Sequence, residues 1–213
     1  MRMLLALLAV ALAGSTALAL TTDNLRAFTS EDARRLEVSA APVPLPPLEV
    51  QGIDGRPVPL SDPGRVTLLG FVYTRCATVC RALGNEFQQL QAGIRARGLQ
   101  NRVRLLSISF DPAHDTVAEL ATYARHQHAD AALWQFGVLA NPADLPKLLG
   151  TFGIVVIPDG LGGFEHNAAI HVVDQRGRLV RIEDLANPAE ALAEAVARSE
   201  VANATAVDVR GGS

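Results

Sequence analysis

Residues 66–73 read VTLLGFVY, apolar at nearly every position, and this run limits the folds open to the chain. A strand with one wet face alternates polar and apolar residues. A strand that does not alternate is buried on both faces, as parallel strands inside α/β sheets are. The following segment repeats Val79, Leu83, Phe87, Leu90 and Ile94 at helical spacing and stops at Gly98. Residues 103–110 (VRLLSISF) predict a second buried strand, and Thr116 with Glu119 forms a capping box that opens a second helix. Residues 133–139 read as a third strand. Asn141 and Pro142 then supply an N-cap and a first-turn proline for a helix running to Gly150. Residues 170–174 and 178–182 flank Gln175, Arg176 and Gly177 as a hairpin, and a helix from Asn187 to about Arg198 closes the pattern.

This alternation predicts an α/β fold, a central mixed sheet flanked by helices. Its order is similar to the thioredoxin-like pattern with an inserted strand and helix. Residues 48–60 add an N-terminal β-hairpin turning at Asp54 and Gly55. The core domain is expected over residues 48–200 and a disordered tail over 201–213. Residues 20–47 read as an extension, with a short helix around 30–36 and then a proline-dense linker from Ala41 to Pro47.

Residues 1–19 have the three parts of a secretory signal: Arg2 near the start, an apolar stretch, and Ala17, Leu18 and Ala19 as a small-residue cleavage site. Cleavage is expected over an uncleaved anchor, because residues 3–20 are short for a span and diluted by Gly14, Ser15 and Thr16. Export puts the protein in the periplasm if it is bacterial, with an inner-membrane tether only if the segment is retained. A net charge of −3 without a basic stripe gives no footprint for nucleic acid.

Cys76 and Cys80 are the chain's two cysteines, and they fall at the turn between the first buried strand and its helix. Residues four apart share a helix face, and a helix N-terminus favours thiolate. The flanking Arg75 and Arg81 would lower both thiol pKa values further. Such a pair can bind a soft metal or open and close a disulfide. The plain alternatives are apolar packing at the end of the helix stripe and a purely structural bridge. Charged neighbours argue against packing, and a loop this short gains little from a bridge. Asp111 follows the second strand at the same sheet edge, where it could serve the dithiol or simply cap a turn. His114, His126 and His128 have no metal-ligand spacing to the cysteines.

Three segments together resemble the Sco/SenC family, thioredoxin-like proteins named for synthesis of cytochrome oxidase. They are residues 71–80 (FVYTRCATVC), 109–116 (SFDPAHDT) and 164–174 (FEHNAAIHVVD), within a resemblance spanning roughly 45–195. Ala77 and Arg81 stand where the family usually has proline, and Glu165 and Asn167 replace its aspartate and serine around the histidine. The resemblance implies one copper ion on Cys76, Cys80 and His166. Two thiolates and an imidazole suit Cu(I), with Cu(II) as the alternative state. Zinc normally takes a fourth ligand, for which His171 is the nearest candidate. Glu165 or Asn167, and Asp111, are the candidate supports around that set. The implied function is an exported metallochaperone for the copper centre of cytochrome c oxidase, with subunit II or another exported copper protein as recipient and a separate copper donor upstream. The competing function is a thiol–disulfide oxidoreductase on a client's cysteines, with Cys76–Cys80 as the disulfide when oxidised. Its motif departs from the two-residue spacing usual in such enzymes.

Overall fold

A computed structural model describes residues 2–22, 27–75 and 79–211, with 79–82 and 202–211 placed by backbone alone. The chain divides at Ala41 into two compact units. In the first, α1 (Arg2–Thr21) is apolar and long enough to cross a membrane, a property that N-terminal signal sequences share. Its second helix, α2 (Ser30–Ala40), runs one turn beyond the expected 30–36. The Thr29 hydroxyl accepts from the Asp32 amide and the Asp32 carboxylate accepts from the Thr29 amide, a complete capping box.

The second unit holds an eight-stranded mixed sheet. Its strands in chain order are β1 (Val43–Pro44), β2 (Val50–Gly52), β3 (Pro57–Val58), β4 (Val66–Val72), β5 (Val103–Ser109) and β6 (Trp134–Leu139). A separate two-stranded ribbon, β7 (Val156–Pro158) and β8 (Phe164–His166), comes next, and β9 (Ala169–Val173) and β10 (Arg178–Asp184) return to the sheet. The sheet order is β1-β10-β9-β4-β5-β6-β2-β3. β4, β5 and β6 are parallel, and β9 runs antiparallel to β4.

Every residue of β4 and β5 is buried, as strands covered by structure on both faces require. The helices are α3 (Val79–Ala96), α4 (Val117–His126), α5 (Leu145–Phe152) and α6 (Pro188–Gly211). Gly70 faces α3, where a Cβ would come within 2.8 Å of the Phe87 ring. Phe71, the next residue, points to the other face and meets Phe152 of α5 with ring centroids 5.2 Å apart. Helices therefore cover both faces of β4. Arg104 is the charged residue inside β5, beside the smaller Ser107 and Ser109. Its guanidinium donates to Thr67 Oγ1 at 2.9 Å and Gln135 Oε1 at 3.0 Å. Burial pulls its pKa down to about 10, so it stays charged at neutral pH.

Three boundaries differ from the sequence reading. The sheet begins inside the proline-dense linker, because Val43–Pro44 pairs with β10 and the Leu45 amide donates to the Gly177 carbonyl at 2.9 Å. An edge strand tolerates a proline that donates no bond. The third helix opens with a 3₁₀ turn at Pro142–Asp144 and ends at Phe152 rather than Gly150, because Gly153 supplies the left-handed cap at φ 71°. The segment expected to be a disordered tail is instead helical backbone to Gly211, continuing α6.

Candidate functional site

The sheet register explains why distant segments meet. β4 and β5 end together at the Val72–Ser109 pair, so residues 73–75 and 110–115 leave the sheet at one carboxyl edge. β9 pairs antiparallel with β4 through His171 and Leu69, so the segment before β9 lies at that same edge. That segment is β8, which carries His166. Topology thus brings the histidine to the edge where the cysteine-bearing turn begins. Cys76 lies outside the described residues. Cys80 sits by its backbone in the first turn of α3.

His166 is half-buried in an aromatic enclosure. Its ring centroid is 4.8 Å from that of Phe110 and 5.9 Å from that of Tyr73. Phe164, two residues earlier and so on the same strand face, packs on both Tyr73 at 5.3 Å and Phe110 at 5.7 Å. His166 Nδ1 lies 2.9 Å from the Asn167 backbone carbonyl. A carbonyl only accepts, so Nδ1 carries the proton and Nε2 holds the lone pair. Burial lowers the imidazole pKa below 6.5, outweighing that hydrogen bond and the Glu165 charge, both of which raise it. The ring is therefore neutral at pH 7, the form a metal needs.

The candidate supports divide. Asn167 serves the imidazole through its backbone, while its side chain binds elsewhere. Its Oδ1 accepts from the Val155 amide at 2.8 Å and its Nδ2 donates to the Gly153 carbonyl at 3.0 Å, fastening the end of β8 to the end of α5. Glu165 is exposed and acts on the ring through its charge. Asp111 is buried and accepts from Arg75 Nη2 at 2.9 Å, with His114 Nδ1 at 2.9 Å from its other oxygen. Arg75, expected as a free positive charge beside Cys76, is thus neutralised by Asp111. The Arg81 side chain lies outside the described residues.

His171, the weighed fourth ligand, is a core residue. Its ring packs between Phe71 at 5.7 Å and Phe152 at 5.2 Å, and its nitrogens face the Leu69 and Phe152 carbonyls.

Two contributors escaped the sequence reading. Asp115, only 1% exposed, accepts from the Thr74 amide at 3.0 Å, from Thr74 Oγ1 at 2.6 Å and from Ser109 Oγ at 2.6 Å. It pins the residue two before Cys76 to the end of β5. The other is the β7–β8 ribbon that presents His166. Its sequence signal was present in the β-branched residues Ile154 to Ile157 followed by Pro158, Asp159 and Gly160. Asp159 builds the turn, accepting from the Leu161 amide at 2.7 Å and the Gly163 amide at 2.9 Å.

The family model for SCO1/SenC matches residues 53–200, which takes in every strand of the sheet except β1 and β2, together with the cysteine turn and the ribbon. The chain belongs to the SCO1/SenC family. Among its relatives is a SCO1 protein homolog of Bacillus subtilis, 27% identical over 138 residues, spanning 63% of this chain and 70% of that one. ScoI of Bradyrhizobium japonicum, solved with copper bound, is 28% identical with a TM-score of 0.58, covering 73% of this chain and 99% of its own. BsSco, described as a member of the Sco family of cytochrome c oxidase assembly proteins with a disulfide switch, superimposes with a TM-score of 0.67 at 22% identity. That match covers 75% of this chain and 95% of BsSco, and it bears on the fold, which is thioredoxin-like.

Proposed function

We propose that this protein binds copper through Cys76, Cys80 and His166 and carries it, as an exported metallochaperone, to a copper-protein client. The observation that supports this most directly is the state of His166: a neutral imidazole with Nδ1 held by a carbonyl, at the sheet edge where the cysteine turn starts. Two thiolates and one such nitrogen form a soft, three-donor set suited to Cu(I). The copper-bound Bradyrhizobium relative at 28% identity supports the same cargo. Cytochrome c oxidase subunit II is the proposed client, in keeping with the family of BsSco, and copper reaches this chain from an upstream donor. Transfer proceeds by ligand exchange, the client's own soft ligands replacing the three donors one at a time. Export through α1 puts this exchange outside the cytoplasm.

The disulfide switch of BsSco favours a second reading, in which the same cysteines reduce a client disulfide. One thiolate attacks a client sulfur and expels the other client sulfur as thiolate. The second cysteine then displaces the first client sulfur, leaving a Cys76–Cys80 disulfide after two electrons have passed to the client.

Uptake by reduced, anaerobic protein separates the two. One Cu(I) per chain, with affinity substantially weakened by His166→Ala, supports carriage. Affinity unchanged in His166→Ala, alongside retained reduction of a client disulfide, transfers the function to the oxidoreductase reading.

A further inference from the structure

Tyr73 follows β4 directly, ends the apolar run of residues 66–73 and stands three before Cys76, yet its hydroxyl belongs to the other half of the site. It donates to the Phe164 carbonyl at 3.3 Å and accepts from the Phe164 amide at 3.3 Å. The ribbon's own register explains why these two backbone groups are available. In an antiparallel ladder, successive residues turn their amide and carbonyl toward opposite edges. The Gly163 carbonyl accepts from the Asp159 amide, inside the ribbon, at 3.1 Å. Phe164, the next residue, therefore turns its pair outward, away from β7. Its ladder partner is Pro158, which has no amide to give in any case. The Tyr73 hydroxyl meets both outward groups and takes the place of a neighbouring strand.

We infer that the Tyr73 hydroxyl is a positioning group that ties the histidine-bearing ribbon to the cysteine-bearing turn and so sets where the imidazole stands. The inference rests on His166 acting as a copper ligand. The aromatic ring of Tyr73 fills space beside Phe110, Phe164 and His166, and a phenylalanine would fill it equally well. Only the oxygen makes the tie. Both bonds exceed the usual hydrogen-bond length, so the tie is weak enough to let the ribbon leave when a client ligand replaces the imidazole.

Tyr73→Phe tests this with two readouts. In reduced, metal-free protein, hydrogen exchange at the Phe164 amide should speed up several-fold while amides in β4 and β5 keep their protection. In Cu(I) competition, affinity should fall roughly three- to tenfold, the size of one or two weak hydrogen bonds. The dithiol–disulfide potential should not move, because Cys76 and Cys80 belong to one stretch of sequence and the tie acts on the other, the ribbon that carries His166. The same substitution in His166→Ala should cost no further affinity, since a tie that acts through the imidazole has nothing left to place. Unchanged exchange at Phe164 overturns the tie. An equal loss of affinity with and without His166, or a shifted potential, overturns its action through the imidazole. Wild-type protein that takes up no Cu(I) defeats the copper reading instead, and the exchange measurement still decides the tie.

Discussion

The two halves of this site are held by different forces. The cysteine-bearing turn is fastened by buried charge. Asp115 takes three bonds from Thr74 and Ser109, two of them 2.6 Å long, and Asp111 grips Arg75 from the same loop. The histidine-bearing ribbon is fastened at its end by the Asn167 side chain, but around the imidazole it is held by aromatic contacts and by two 3.3 Å bonds at one hydroxyl. Directional bonds between buried groups fix a turn in one geometry, whereas edge-to-face rings tolerate sliding. A carrier that must both hold an ion and surrender it benefits from such inequality: one side stays in place while the other yields. Tyr73 belongs to both halves, with its backbone in the first and its hydroxyl in the second.

The largest effect should come from removing the packing under the ribbon. Phe110→Ala deletes a ring only 3% exposed that touches Tyr73, Phe164 and His166, and should lower stability by about 3–5 kcal/mol in chemical denaturation. If exchange protection in β8 survives that substitution, packing is not what holds the ribbon. Asp115→Ala should come next, at about 2–4 kcal/mol, because it leaves the Ser109 and Thr74 donors without their acceptor. It should also loosen the Thr74 amide far more than the Phe164 amide. Equal loosening of both would erase the distinction between the halves.

The smallest effect concerns α4, whose first turn follows Asp115 directly. Glu119 accepts from the Thr116 amide at 2.9 Å, and that bond with one from the Thr116 hydroxyl holds its carboxyl below the ordinary 4.5. A carboxyl depressed in the folded state adds stability above its unfolded value and loses it as pH falls through the folded one. Acid should therefore weaken the start of α4 below about pH 4.5, and Glu119→Gln should flatten that slope in a pH series followed by circular dichroism. A slope unchanged in Glu119→Gln would remove the capping box from the anchoring of the turn.

Much of this architecture was legible before any coordinates. Mainly apolar runs without alternation announce strands buried on both faces, and capping residues announce helix starts, because each depends on neighbours close in sequence. The ribbon was harder to read. Its strands are three residues each, too short for periodicity, and its turn depends on Asp159 reaching back to amides of the same loop. The β1 edge strand hid inside a proline run for a similar reason: two residues of pairing leave almost no pattern.

The site divides along the same line. Local spacing alone marked Cys76 and Cys80 as a reactive pair, and the order of three motifs marked His166 and Asp111. What those residues do to one another was decided in three dimensions. Arg75 read as a charge acting on the cysteines until Asp111 stood against it, and His171, the nearest fourth donor by sequence but one inside a strand, is carried by β9 into the core. Asp115 and Tyr73 lay within the motif segments but carried no role there, since a carboxylate after a turn and a tyrosine following a strand are ordinary in sequence. The sheet topology, which brings residues 91 positions apart such as Tyr73 and Phe164 within hydrogen-bond reach, gave each of them its partner.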